Sequence, residues 1–489
     1  MLATIKEWLN DRVSVGPGGA RRGLPKGIGW LHTLGVVALA LLVIEGITGF
    51  ALSMYYSPHP DAAYESLRYI DKVLPMGAMV HGMHHYGAGA LIIVLGLHLV
   101  RSYVQGAYKA PRELVWISGL VLITLVILFG VTGELLPWDQ DAYFGTVVRT
   151  QYAEDVPVIG PLAATMLRGG RDIGALTLTR FYAVHILLLP AILFGLVYAH
   201  VLWSRRKGLT VPGTRVGEEP PTTRGVVHAQ MQRTLWAVIL AFLAVFVLAA
   251  VRPVEIDFKA NPSDSTYHAR AEWHLLFLFQ LVKDFGAVPG IGNLSWIPAV
   301  VIPGIAMTFL GLAPWIDRSP ERRASRRPLM MGLLAIGLLG VVGMTARAYT
   351  TLHPNATPTH SLYAYYTGGD TKPLSPQLVK AGAEAFSACG GCHTAYQDYT
   401  DGTSGPSLTG YGRMNFPLSE IAGHPEAHQI PFTARFEKYL RGDLRPEKTM
   451  MPKYTQEMLP PDSLKAIGAY LSQDPASAKK LIGVEPDKQ

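Results

Sequence analysis

The sequence has few cysteines and few charged residues for its length. Two cysteines occur in 489 residues, and only 16% of the residues are charged. Both cysteines lie in one short motif, and no second Cys/His cluster follows at a spacing suited to zinc, which argues against a structural zinc site. No basic stretch is interleaved with a soluble recognition fold, so we expect no nucleic acid partner.

Long apolar segments are what the sequence does have. Hydrophobic residues make up 49% of the chain, and seven segments are long enough to span a bilayer. They cover about residues 30–53, 84–103, 115–137, 182–203, 234–251, 295–315 and 329–346. The sequence therefore predicts an all-α, multi-pass membrane protein, and no cleavable signal peptide is apparent.

Basic residues predict the orientation of these segments. The N-terminal tail and the even-numbered loops hold about twice as many Lys and Arg as the odd-numbered loops. By the positive-inside rule, the N-terminus faces the cytoplasm, and seven crossings place the C-terminus outside. We therefore expect a location in the inner membrane of a bacterium.

Two of the apolar segments each carry a pair of histidines. His84 and His98 are 14 residues apart, which is roughly 21 Å along a helix and returns to nearly the same face. His185 and His200 are 15 residues apart, and Pro190 between them can supply a bend that realigns them. Two such helices side by side form an upper and a lower His–His pair. Each pair predicts axial ligation of one b-type haem, because polar residues at membrane depth are costly unless they are functional.

The cysteines form the motif Cys389-Gly390-Gly391-Cys392-His393. This C-x-x-C-H pattern is the attachment site of c-type haem, with the histidine as an axial ligand. Met451 is the favoured sixth ligand; Met450, Met458, His424 and His428 remain alternatives. Residues 351–376 are rich in Thr, Pro, Tyr and Gly and are predicted to link the membrane part to an α-helical cytochrome c domain at 377–489.

Residues 30–210 resemble the cytochrome b of quinol–cytochrome c reductases, most closely the short, four-helix form of the chloroplast and cyanobacterial complex. The motifs that carry this resemblance are Thr48-Gly49-Phe50, Lys-Ala-Pro-Arg-Glu at 109–113, Thr132-Gly133, Leu-Pro-Trp-Asp-Gln at 136–140, Pro-Val-Ile-Gly at 157–160 and Leu-Thr-Arg-Phe-Tyr at 178–182. Residues 211–350 resemble the separate three-helix subunit that completes the quinol site. The resemblance implies a four-helix di-haem domain at 1–210 and a three-helix domain at 211–350, fused in one chain.

The resemblance also implies roles for these residues. His84 and His185 would bind the low-potential haem near the outer face, and His98 and His200 the high-potential haem near the cytoplasm. Arg101 and Arg180 match positions that meet haem propionates. Two further helices each carry a pair of glycines 14 residues apart, Gly35 with Gly49 and Gly119 with Gly133. These glycines are predicted to contact haem. Close helix packing is the alternative. His81 and His85 stand where the family usually has Arg, and His85 is a second candidate ligand.

The outer quinol site of the family carries a Pro-Glu-Trp-Tyr sequence, where this chain has Ala271-Glu272-Trp273-His274. Glu272 is predicted to accept a proton from quinol. His274 replaces Tyr and is predicted to be a second proton acceptor near neutral pH, or else an interfacial ring. Tyr143, Phe144 and Gly145 would line the same pocket.

The function implied is quinol oxidation coupled to proton translocation in respiratory or photosynthetic electron transport. One electron would pass to a Rieske-type iron–sulfur protein, a separate partner because this chain has no cysteines left for its cluster. The other would cross the membrane to a quinone at the cytoplasmic side. The c domain would pass its electron to a further cytochrome c or a terminal oxidase, and the complex is expected to be a homodimer. The alternative is a di-haem membrane anchor that relays electrons for a dehydrogenase.

We predict two non-covalent b haems and one covalent c haem per chain. A pyridine haemochrome assay should find b and c haems near two to one. Haem staining on a denaturing gel should mark this polypeptide, because thioether bonds survive denaturation. If the polypeptide does not stain, it carries no covalent haem and the prediction of a cytochrome c domain is wrong.

Overall fold

The computed structural model describes residues 24–218, 221–254, 271–288, 292–351 and 376–386, with short pieces among 7–12, 256–269 and 458–467. The predicted c-haem residues Cys389, Cys392, His393 and Met451 lie outside these residues, as do residues 352–375 of the predicted linker. A helix, Pro376–Phe386, precedes the haem motif in the sequence.

In the described part of the chain, seven helices are long and apolar enough to cross a membrane, as the sequence predicted. In chain order, which we use to number them from first to seventh, these helices are Leu34–Ser53, Gly77–Val104, Glu113–Gly133, Ala175–Lys207, Val226–Val251, Ile297–Ile316 and Pro328–Thr351. The second and fourth begin about seven residues earlier than predicted, and the fifth about eight, because the helix continues into the flanking residues. All seven belong to one compact unit of the chain.

Shorter elements connect these helices. The shorter α-helices are Ala63–Lys72, Gln140–Glu154, Gly160–Arg168 and Leu276–Phe285, and two 3-10 turns cover Trp30–His32 and Ala324–Arg326. Two antiparallel pairs of two-residue strands join Leu24–Pro25 to Thr222–Thr223 and Ala287–Val288 to Gly292–Asn293.

Within the described ranges, three apolar clusters join the membrane helices. Val37, Ala38 and Leu41 of the first helix pack with the second, third and fifth helices around buried Leu91, Val126 and Val245. The third and fourth helices meet at Leu125, Leu189 and Leu193. The second and third helices meet the last two through Tyr103, Tyr108, Trp116, Ala313 and Met330. The segment at 211–350 thus packs directly on the four-helix part.

The loops sort into two sets by their contacts. On one end, Arg12 pairs with Glu113 at 3.0 Å and Lys109 with Asp317 at 2.6 Å, so the N-terminal tail and the second and sixth loops meet. On the other end, the Tyr56 hydroxyl donates to the Leu136 carbonyl at 2.6 Å, joining the first and third loops. This grouping is the alternation that the basic-residue pattern predicts for successive crossings.

A π-helical turn interrupts the fourth membrane helix at the first of its two histidines. Residues Val184–Leu188 form this turn, and the N–H of Leu189 bonds to the Val184 carbonyl five residues back. A π turn accommodates one residue more than an α turn. It therefore absorbs the extra residue of the 15-residue interval between His185 and His200. The realignment that we assigned to a bend at Pro190 comes from this turn; Pro190 lies in the α-helix that resumes at Leu189.

This geometry predicts that the extra residue is dispensable. Leu187 is 70% exposed, and deleting it together with Pro190→Ala should leave a regular helix with a 14-residue interval. Both b haems should be retained in a pyridine haemochrome assay. The matched control inserts one Ala after Leu187, which should rotate His200 by about 100° and lose b haem. The role of the π turn would be contradicted if the deletion variant lost b haem while the insertion variant retained it.

Candidate functional site

The histidine pair that is predicted to lie at the outer face meets between the second and fourth membrane helices. The ring centroids of His84 and His185 are 6.3 Å apart, and the planes are inclined by 76°. Two imidazoles that each place a nitrogen about 2 Å from one metal ion have centroids roughly 6 Å apart. The spacing therefore fits a single iron held between the two rings.

Hydroxyl groups on the neighbouring helices contact the far nitrogen of three of the histidines. Thr48 Oγ1 lies 3.1 Å from His84 Nδ1, Thr132 Oγ1 lies 3.1 Å from His185 Nδ1, and Ser118 Oγ lies 2.9 Å from His200 Nδ1. Each hydroxyl donates its own hydrogen to a carbonyl of its helix. Its oxygen is thus the acceptor for Nδ1–H, which fixes the tautomer and leaves Nε2 unprotonated to bind iron.

A glycine follows each of these hydroxyl residues, and it packs against the same histidine. A Cβ added to Gly49 would lie 3.0 Å from Cε1 of His84, and one on Gly133 would lie 2.8 Å from Cε1 of His185. Gly35 and Gly119 repeat the contact with His98 and His200, at 3.3 and 3.2 Å. The 14-residue repeat of glycines therefore matches the repeat of histidines on the facing helix. Their contact with haem stays a prediction.

The inner pair, His98 and His200, lies beside buried positive charge. The two rings are close enough to interact electrostatically, and Arg101 and Arg112 act on them from the basic end of the bundle. The Nε and Nη2 atoms of Arg101 are buried and have no hydrogen-bond partner in the described part of the chain. A buried guanidinium without an acceptor fits an anionic haem propionate at this position.

The segment Ala271–His274 ends against the third membrane helix. The Glu272 carbonyl accepts the N–H of Leu275 at 2.8 Å, and the side chain of Glu272 is half-buried. His274 Nε2 lies 3.8 Å from where a Cβ on Gly130 would be. Nδ1 of His274 is buried and has no hydrogen-bond partner among the described residues.

Burial and a neighbouring cation change the expected chemistry of His274. Burial of the ring first, and then the positive charge of Arg149, lower the pKa of His274 to about 4. The ring is therefore neutral at pH 7. Its role as a proton acceptor near neutral pH stays a prediction. The sequence pattern contained no signal for this, because Arg149 is distant along the chain.

An ion pair between Glu134 and Arg149 lies at the same end of the third helix, and sequence reasoning missed it. Arg149 Nη1 is 2.5 Å from Glu134 Oε2. Gly145 makes room for the pair, because a Cβ there would lie 3.2 Å from Glu134 Oε1 and 3.4 Å from Arg149 Nη2. Gly145 thus contacts this ion pair, and its predicted contact with quinol stays a prediction.

Comparisons with known proteins identify the family of this fold. The family profile described as Cytochrome b/b6/petB matches residues 21–208, and the profile described as Cytochrome b(C-terminal)/b6/petD matches residues 259–366. The menaquinol:cytochrome c reductase cytochrome b subunit of Bacillus subtilis is 40% identical over 223 residues, covering 43% of this chain and all of the relative. Cytochrome b6 of Mastigocladus laminosus is 34% identical over 214 residues, again 43% of this chain and the whole relative. This chain belongs to the cytochrome b/b6 family.

A solved structure agrees with this assignment. A structure titled Hyperthermophilic respiratory Complex III aligns with a TM-score of 0.59 at 27% identity, over 72% of this chain and 90% of that chain. Membership of the cytochrome b family implies b-type haems and interaction with quinone. The four histidines, their hydroxyl partners and the glycine contacts fit that requirement.

Within this cytochrome b, the remaining histidines near His84 have other contacts. His81 Nδ1 is 2.9 Å from Asp71 Oδ1, and the His85 ring packs edge-on against Tyr86. His84 is the one whose ring meets His185. Arg180 is exposed and donates to the Met166 carbonyl at 3.1 Å. Its predicted contact with a propionate therefore stays a prediction.

The predicted pocket residue Tyr143 belongs to a second unit of the chain, which includes residues 138–144 and 256–269. Tyr143 is buried and packs edge-on between Trp138 and Phe144, and Phe144 stacks on Tyr267. Asp139 accepts the backbone N–H groups of Ala142 and Asp257 at 2.9 and 3.0 Å. Burial raises the pKa of the Asp139 carboxyl to about 7, although these hydrogen bonds act in the opposite direction.

The glycine contacts predict which small residues are essential. Gly133→Ala should displace the His185 ring and lower b-haem content, because the added Cβ would come within 2.8 Å of Cε1. Gly195→Ala is the matched control, since a Cβ at Gly195 on the fourth membrane helix has no neighbour within 4 Å among the described residues. Haem per polypeptide, measured by pyridine haemochrome, checks both. Equal haem content in the two variants would show that the close approach at Gly133 is not needed.

Proposed function

We propose that this chain is the cytochrome b/c subunit of a membrane quinol–cytochrome c oxidoreductase that takes part in respiratory or photosynthetic electron transport. The relatives named above are cytochrome b subunits of menaquinol:cytochrome c reductase and cytochrome b6. The observation that carries the proposal is the pair of His–His sites stacked between the second and fourth helices, each backed by glycine and, at three of the four rings, by a hydroxyl. Such a site holds iron with two neutral nitrogen ligands, which leaves no position for an oxygen substrate.

The b haems, when bound, supply one-electron transfer between the two faces of the membrane. Thr48, Thr132 and Ser118 hold three of the four imidazoles in one tautomer. Glu272, at the outer end, is the proposed acceptor of a quinol proton, since a carboxylate can take a hydroxyl proton as the electrons leave. Neutral His274 offers a hydrogen bond to the quinone ring rather than a protonation site.

The finer assignments rest on the sequence. Cys389, Cys392 and His393 would attach a c haem, with Met451 as sixth ligand, in a domain outside the cytoplasm. A Rieske-type protein would take one electron from quinol, and protons would be released on the outer side. The two sets of loops are consistent with a cytoplasmic N-terminus in a bacterial inner membrane. A homodimer and a further cytochrome c or terminal oxidase as acceptor complete the proposal.

The alternative is a di-haem anchor that relays electrons for a dehydrogenase. An anchor needs neither Glu272 nor three additional membrane helices packed on the four-helix part. Inhibitors separate the two functions. Quinol–cytochrome c reductase activity of the purified complex should be blocked by stigmatellin-type and antimycin-type compounds, and insensitivity to both would favour the anchor.

Replacing the outer-end residues tests the proton chemistry. Glu272→Gln keeps the size and polarity of the side chain but removes the base, so turnover should fall on the order of 10²-fold with unchanged haem content. His274→Tyr should leave the pH profile of turnover unchanged between pH 5.5 and 8, because His274 with a pKa of about 4 is neutral throughout that window. The acid limb of this pH profile is the control measurement. A shift of that limb in His274→Tyr would mean that His274 titrates near its ordinary pKa in the working enzyme.

A further inference from the structure

A glutamate lies inside the first membrane helix, and the proposed function does not use it. Glu45 is in the middle of Leu34–Ser53, four residues before Gly49. Its side chain is 14% exposed. A carboxyl group at this depth is costly in an apolar setting unless it has a specific partner.

That partner is the outer haem-ligand candidate His84. Glu45 Oε2 lies 3.0 Å from His84 Nδ1, as close as the Thr48 hydroxyl. Because the Thr48 hydrogen is donated to the Ile44 carbonyl at 2.7 Å, Nδ1 carries the proton and donates it toward both oxygens. Glu45 Oε1, the other carboxyl oxygen, has no hydrogen-bond partner among the described residues.

The second membrane helix leaves space for this carboxyl. A Cβ added to Gly87, one turn after His84, would lie 2.1 Å from Glu45 Oε1. The carboxyl therefore occupies the notch that a residue without a side chain provides. Val245 of the fifth helix closes the far side of this notch, 3.9 Å from the same point, and is itself buried.

Among the four histidines, only His84 has such an acid within the residues that the structure describes. The described residues pair no carboxyl with His98, His185 or His200 within salt-bridge distance. The position that corresponds to Glu45 on the third helix, four residues before Gly133, is Phe129, whose ring packs edge-on against His185. At the inner pair the nearby charges are positive, since Arg101 and Arg112 act on His98.

We propose that Glu45 is a positioning residue that lowers the midpoint potential of the outer b haem through His84. A carboxyl oxygen that accepts Nδ1–H increases electron donation from the imidazole to iron, which favours the ferric over the ferrous state. Arg101 and Arg112 act in the opposite sense at the inner pair. The chain thus favours electron movement from the outer to the inner haem. This inference rests on the proposed function, since it takes His84 as a haem ligand.

The test is a potentiometric titration of the two b haems in the purified complex, followed at their α bands. Glu45→Gln keeps the shape but replaces the carboxyl with an amide, and it should shift one of the two waves to higher potential and leave the other unmoved. Glu45→Asp keeps the acid but is one methylene shorter, so it should shift the same wave by a smaller amount. Glu65→Gln is the matched control, because it removes an acid of the outer helix Ala63–Lys72 that pairs with Arg68; neither wave should move.

Three results would overturn the inference. Both waves unmoved in Glu45→Gln would remove any tuning by this residue. Equal shifts of both waves would indicate a long-range electrostatic effect on both haems rather than a contact with one ligand. Loss of one b haem from both Glu45 variants would mean that Glu45 only keeps the haem site intact and does not tune its potential. The parent complex tests the proposed function separately, since it must show two b-haem waves whatever the variants do.

Discussion

The close packing of four imidazole rings against four glycines is the constraint on which the membrane part of this protein depends. An imidazole ring can lie between two membrane helices only where the facing helix has no side chain at the contact. Gly35 and Gly49 provide that space on the first helix, and Gly119 and Gly133 on the third. The first helix must therefore pack along the second, and the third along the fourth, with no freedom to slide by a turn.

The hydroxyl beside three of these glycines adds a chemical constraint to the geometric one. A threonine or serine that donates its hydrogen to its own helix can only accept from the facing imidazole. The tautomer of the ligand is thus determined by the neighbouring helix and not by the metal. Leu34 precedes the fourth glycine and has no hydroxyl, so the environment of His98 differs in kind from that of the other three rings.

Charge is distributed unequally between the two ends of the bundle. Arg101 and Arg112 lie near the inner pair, whereas His84 of the outer pair contacts the carboxyl of Glu45. The Glu134–Arg149 ion pair also places a cation near His274, whose ring is kept neutral first by burial and then by this charge. Electrostatics in this cytochrome b therefore arises from a few buried groups whose partners come from different helices. The many surface charges of the loops mainly distinguish one side of the membrane from the other.

The sequence by itself determined the number of membrane helices, their alternation and the two histidine pairs, because these follow from local hydropathy and from the fixed rise and rotation of an α-helix. It also indicated the glycine repeat, although not the imidazole each glycine meets. Only the tertiary structure decided how the two histidines 15 residues apart come to the same face, because a π turn at Val184–Leu188 has no simple pattern in the sequence. Likewise, the depressed pKa of His274 and the contact of Glu45 with His84 depend on residues that are far apart in the chain. Such interactions depend on distance in space, which periodicity along one helix does not encode.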